Sequence, residues 1–135
     1  MNDLEEIIRK ITIIYNSNEE KLSKISKINI SELRTIKLFS KINQSLKMSE
    51  IAKKLMIKES RITKIIDGLE KKGIVARCPD SQDRRVCQVV LTEKGLNIKS
   101  TIDKYCSNYW NHLNKQIDDK DKLILLKIHN ILQNK

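Results

Sequence analysis

Aromatic side chains make up only 4% of the 135 residues. The apolar positions fall mainly to Ile and Leu, and a core built that way is usually helical and often completed by a second subunit. The three cysteines, Cys78, Cys87 and Cys106, are odd in number and lack metal-ligand spacing, which argues against a disulfide scaffold and a zinc site. With thiols kept reduced, the expected location is the cytoplasm. No apolar run approaches the roughly 20 residues that cross a bilayer. Residues 1–20 read as an acid-bearing amphipathic helix, not as a targeting signal. Nucleophile elbow, phosphate loop, metal cluster and paired carboxylates are all missing, so neither an enzyme nor a cofactor is expected. His112 and His129 stand far apart, without acids or cysteines near either.

Positive charge is what the chain has in excess. Its formal net charge is +10 and its pI about 9.6. Such a balance favours polyanionic partners, nucleic acid first and an anionic membrane surface second. The length suits one domain with a modest core.

Periodicity divides the chain. Leu4, Ile7, Ile8, Ile11, Ile14 and Tyr15, with Leu22 and Ile25 beyond, mark one face of a long first helix. Ser31 reads as the N-cap of a second helix, with Glu32 in its first turn and Leu33, Ile36, Leu38, Phe39 and Ile42 on its apolar side. The segment INQSLK reads as a loop. Ser49 then caps a short helix over 49–55, with Ile51, Ala52 and Leu55 inward. After the polar Lys58-Glu59-Ser60, the stripe Ile62, Ile65, Ile66 and Leu69 predicts a helix of about four turns that ends at Gly73. A short helix, a tight turn and a second helix form a helix-turn-helix. Gly68 is out of place there, since a mid-helix glycine costs roughly 1 kcal/mol against alanine.

Past Gly73 the period changes. Residues 74–78 and 86–91 are strand-like, and PDSQDRR connects them as a β-hairpin. Thr92 caps a further helix, with Glu93 favouring its dipole. That helix carries Ile98, Ile102, Tyr105, Tyr109, Leu113 and Gln116 on one stripe, with Cys106, Trp110 and Ile117 beside it. A last helix spans 122–132, begun near Asp118 or Asp119. The expected fold is mainly α with a small β-hairpin wing: a winged helix-turn-helix over 29–91, with helical segments 1–28 and 92–135 left for dimerisation.

A wing lies along the duplex backbone, so its tip calls for cations, and arginine offers more donors than lysine. An adjacent carboxylate can hold one guanidinium in a fixed direction and lower the entropy lost on binding. The order Asp83-x-Arg85, five residues, then Leu91-Thr92-x-x-Gly95 resembles the wing signature of the MarR family of bacterial transcription regulators. Ser60-Arg61-Ile62-Thr63-Lys64, with Leu69-Glu70-Lys71-Lys72-Gly73, is similar to that family's recognition helix and its exit. The motifs cover about residues 30–100, and the flanking helices agree in layout.

The resemblance implies an obligate homodimer whose first, fifth and sixth helices interleave. Its recognition helices would lie roughly 34 Å apart on a pseudo-palindromic double-stranded DNA site. It also implies repression, relieved by a small ligand or an oxidant. Ser60, Arg61, Thr63 and Lys64 are then the candidates for the major groove, with Arg61 the reader of a guanine. Ser60 equally suits a plain N-cap, and Thr63 and Lys64 equally suit phosphates. Ser49 is a cap placed to meet a phosphate. Arg85 is expected at the minor groove or backbone, Arg84 is a second wing contact, and Asp83 is a positioning partner. Lys58, Lys71 and Lys72 belong to a solvated face that adds long-range attraction. Cys78 and Cys87, on opposite wing strands, are a candidate redox pair if the register brings their Cα atoms within about 7 Å. No cysteine precedes Cys78, which counts against the peroxide-sensing members. Tyr105, Tyr109 and Trp110 suit core or dimer seam. The rival reading is a winged-helix module that binds a protein partner without sequence-specific DNA binding.

Overall fold

The computed structural model describes residues 2–40 and 44–134. The order of elements is α1 (Asp3–Ser26), α2 (Ile30–Ile36), β1 (Ser45–Lys47), α3 (Met48–Leu55), α4 (Glu59–Lys71), β2 (Val75–Pro79), β3 (Cys87–Leu91), α5 (Glu93–Asn114) and α6 (Asp119–Gln133). Two compact units divide the chain, Met1–Ile102 and Asp103–Lys135.

In the first unit, α2, α3 and α4 enclose a core of β-branched and leucine side chains. Leu33, Ile36, Ile51, Ile62, Ile66 and Leu69 are all fully buried. Each such side chain contributes roughly 1.5–3 kcal/mol by leaving water. The expected inward positions of α4 agree, except that Ile65 is only half-buried. A three-stranded antiparallel sheet in the order β1-β3-β2 closes the core on one side. Val89 of the central strand is fully buried and pairs with Leu46 and Arg77.

Several expectations are corrected. The segment expected as a loop supplies a third strand, because Leu46 has a buried place opposite Val89. Ile42 lies outside the described residues. The cap of α2 is Asn29, not Ser31: Asn29 Oδ1 accepts from Glu32 N–H at 2.8 Å, and a Glu32 carboxylate oxygen accepts from Asn29 N–H at 3.0 Å. Helix α2 ends at Ile36, so Leu38 and Phe39 follow it in a turn, where Phe39 is still fully buried. Ser49 does not cap α3, since Lys47 holds the cap position and its N–H donates to Glu50 Oε1 at 3.4 Å. Gln116 and Ile117 lie beyond α5.

Other boundaries stand as expected. Gly73 has φ +74°, and the exit of α4 carries the paired bonds Gly73 N–H to Glu70 O (2.9 Å) and Ile74 N–H to Leu69 O (2.9 Å). That is a Schellman ending, which needs a left-handed residue at this position. Asp118 caps α6 reciprocally with Asp121.

Not all apolar surface is covered. In α1, Leu4, Ile7, Ile11 and Ile14 are each more than half exposed. In the second unit, α6 leaves Leu123, Ile124, Leu125, Leu126, Ile131 and Leu132 exposed.

Candidate nucleic-acid interface

Helix α4 turns Ser60, Arg61, Thr63 and Lys64 to solvent, while Ile62 and Ile66 face the core. Periodicity explains the split, because residues three and four apart share a face. Ser60 is not the cap: Lys58 is, and its carbonyl accepts from Arg61 and Ile62 N–H at 3.0 and 3.2 Å. Ser49 stands at the matching second position of α3, so both hydroxyls are exposed in first helical turns. Thr63 Oγ1 donates back to Glu59 O at 3.1 Å, which uses its hydrogen and leaves the hydroxyl able to accept.

The hairpin tip is built by its own hydrogen bonds. Asp80 N–H donates to Val86 O and Val86 N–H to Asp83 O, both at 3.0 Å. Asp83 Oδ1 accepts from Arg85 N–H at 3.0 Å and from Arg85 Nε at 3.3 Å. One carboxylate oxygen therefore holds both the backbone and the stem end of the guanidinium, although the Arg85 side chain is 93% exposed. Arg84, next to it, is also exposed.

Two fastenings tie the wing to the helix. Arg77 on β2 forks onto α4, with Nη1 donating to Glu70 Oε1 at 2.9 Å and Nη2 to Asp67 and, at 3.5 Å, Thr63 O. Hydrogen bonding to Asp67 holds the Arg77 guanidinium above its ordinary pKa, while burial works the other way. Sequence reasoning missed this residue; the available signal was Asp67 and Glu70 at i and i+3, facing a strand arginine. The second fastening is Thr92. Its hydroxyl donates to Gly73 O at 2.6 Å and accepts from Gly95 N–H at 3.2 Å, as an N-cap of α5 does. Gly95 must be glycine, because a Cβ there would lie 2.1 Å from Ile74 O.

The redox pair is corrected. Cys78 pairs with Gln88 and Cys87 with Pro79. Directly opposed residues share a face and successive residues alternate, so the two cysteines point to opposite faces of the hairpin and cannot bridge. All three cysteines are free.

A helix-turn-helix whose second helix exposes Arg61 and Lys64, followed by a hairpin with an arginine tip, defines a winged-helix protein of the DNA-binding type. The MarR family model matches residues 28–87, the helix-turn-helix and most of the wing, and this region is a MarR-family domain. Its relatives include the HTH-type transcriptional regulator SarZ of Staphylococcus haemolyticus, 26% identical over 130 residues, 96% of this chain and 82% of that protein. The HTH-type transcriptional repressor MdtR of Bacillus subtilis is 38% identical over 77 residues, 56% of this chain and 50% of that one. Among solved structures, Streptococcus pneumoniae FabT in complex with DNA superposes with a TM-score of 0.75 at 26% identity, over 97% of this chain and 96% of that one. SarZ is named as a regulator and MdtR as a repressor of transcription. Among the described residues no helix is long and apolar enough to cross a membrane, and no group of three or more His, Cys, Asp or Glu side chains could hold a metal ion.

Proposed function

We propose that this chain is a cytoplasmic homodimeric repressor that binds a pseudo-palindromic site in double-stranded DNA. The observation that carries the reading is the pairing of the exposed α4 face (Ser60, Arg61, Thr63, Lys64) with a wing whose tip arginine is aimed by Asp83. Arg61 reads a guanine edge in the major groove, with Thr63 and Lys64 on bases or phosphates beside it. Ser49 and Ser60 meet backbone phosphates, and Arg84 and Arg85 follow the flanking minor groove or backbone. MdtR is named as a repressor and FabT was solved on DNA, which supports the same role here. The uncovered stripes of α1 and α6 supply the apolar surface that a second copy needs. Relief of repression comes from a small ligand or an oxidant, the latter by a route other than a Cys78–Cys87 disulfide within one hairpin.

The test is fluorescence anisotropy on the DNA upstream of the protein's own gene against scrambled DNA, at a stated salt concentration near 150 mM. A preference of about 10³ or more is expected of a specific regulator. Equal, weak binding to both would overturn the reading.

A further inference from the structure

We propose that Glu32 is a positioning residue of the recognition helix: its buried carboxylate, seated in the notch left by Gly68 and held by Lys72, fixes how α4 lies on α2. The proposal rests on the DNA-reading role given above to α4. Glu32 is only 1% exposed, although it is an acid. Oxygen Oε1 accepts from Asn29 N–H at 3.0 Å and from Lys72 Nζ at 2.6 Å. The other oxygen lies over Gly68, where an added Cβ would meet it at 3.1 Å. A carboxylate so deeply buried is tolerated only while its donors stay in place, because removing one partner leaves a charge without compensation.

This accounts for the glycine. Among non-proline residues, glycine is the least favourable inside a helix. Here a side chain would press on Oε2 of a carboxylate whose other oxygen, Oε1, is already pinned by Asn29 and Lys72, which restricts its swing aside and transfers the displacement to α4. Arg61, Thr63 and Lys64 precede Gly68 by one to two turns on the same rigid rod. A lift at Gly68 therefore tilts the face that meets DNA.

Helix α2 is well placed to act as the reference. It has seven residues and is gripped from α1 as well, where Arg34 Nε and Nη2 donate to the two oxygens of Glu19 at 2.9 and 2.7 Å. Glu19 is itself buried. Beyond Glu32, the carbonyl of Lys72 accepts from Lys94 Nζ at 2.8 Å, so the end of α4 is also held from α5. A short strut pinned on both sides passes the position of α1 to the recognition helix.

The test compares the wild type with Gly68→Ala, Glu32→Asp, the double variant and Glu32→Gln. Binding is measured by anisotropy on the upstream and scrambled DNA, and thermal melting is recorded at one fixed protein concentration. Aspartate keeps the charge, withdraws one methylene from the notch and can serve this cap position, as Asp121 does in α6. Gly68→Ala should weaken binding to the upstream DNA about tenfold or more while scrambled DNA changes less than about twofold, the size of one misread base pair. Adding Glu32→Asp should restore most of that loss. The melting temperature should fall on Gly68→Ala in the wild type and rise in the Glu32→Asp background, where the helix preference of alanine acts unopposed. Glu32→Gln, which fills the notch without the charge that holds Lys72, should lose upstream preference and keep scrambled binding. Melting shifts equal in the two backgrounds would show that the notch is not shared and would overturn the proposal. Coupled melting shifts with unchanged DNA preference would make Glu32 a stabilising residue only and overturn it too. A wild type without preference would overturn the DNA reading itself, visibly and before any variant is compared.

Discussion

Arg85 combines nearly full exposure with a fixed direction, and the two properties separate by mutation. On the proposed function, Arg85→Ala removes a cation from the duplex. Affinity should fall by about 1–3 kcal/mol, and the slope of log affinity against log salt should lose about one unit. Asp83→Ala leaves the cation and removes only its anchor, so the slope should persist while affinity drops by a smaller step. Stability should move less than about 0.5 kcal/mol, because the pair is exposed. Titrations of both variants across salt check this, and an unchanged slope for Arg85→Ala would remove that residue from the contact surface. Met56 offers a residue-scale prediction independent of DNA. It ends α3 with φ 58° and is 81% exposed, so a bulky side chain sits in a left-handed conformation with little packing in return. Met56→Gly relieves roughly 1–2 kcal/mol of backbone strain, partly offset by about 0.4–1 kcal/mol of extra unfolded-state freedom. A net gain of a few tenths to about 1 kcal/mol in urea unfolding is expected.

At the scale of elements, α4 and the hairpin are joined through the Arg77 fork. The side chain is 28% exposed and faces Asp67 and Glu70, so each pair carries the modest energy of a surface ion pair. Arg77→Ala should cost about 1 kcal/mol. Arg77→Lys should recover less than half of it, since a single ammonium cannot span both carboxylates as a planar fork does. Full recovery by lysine in denaturant melts would make the link a matter of charge alone. Such links explain what could be read from the sequence. Helix α1 repeats its apolar period for about three turns and α4 and α6 for about two, and the switch of period after Gly73 announces the hairpin. Strand β1 has only Ser45, Leu46 and Lys47, and its extended form comes from pairing with β3, which no local pattern carries. The α2 cap is displaced by two residues from the expected Ser31, a capping type of residue that lies inside the helix. Only Asn29 stands three residues before Glu32, and that spacing decided it. The wing motif was legible because its parts are contiguous. The Glu32–Lys72 and Arg77–Asp67 partners are 40 and 10 residues apart and become visible only once the chain is folded.

For the whole molecule the question is how an excess of +10 becomes specificity. Net charge attracts any duplex, whereas discrimination on the proposed reading requires two heads to meet two half-sites at once. The two effects scale differently with the length of DNA offered. A dimer that neutralises on the order of 6–10 phosphates should lose about 10³–10⁵ in affinity for a full palindrome between 50 and 200 mM salt. A duplex with one half-site and scrambled flanks engages one head specifically. The second head then rests on the wrong bases, still touches phosphates, and gives up its base contacts at about 1–3 kcal/mol for each mismatched pair. The salt slope should therefore change little between the two duplexes of equal length, while affinity falls by several powers of ten. Shortening the DNA to the half-site alone should in contrast reduce the slope by about half, because half the phosphates are gone. Equal affinity for the full and single half-site duplexes at every salt concentration would mean that one head reads alone. The exposed stripes of α1 and α6 would then have to be covered by something other than a second reading copy.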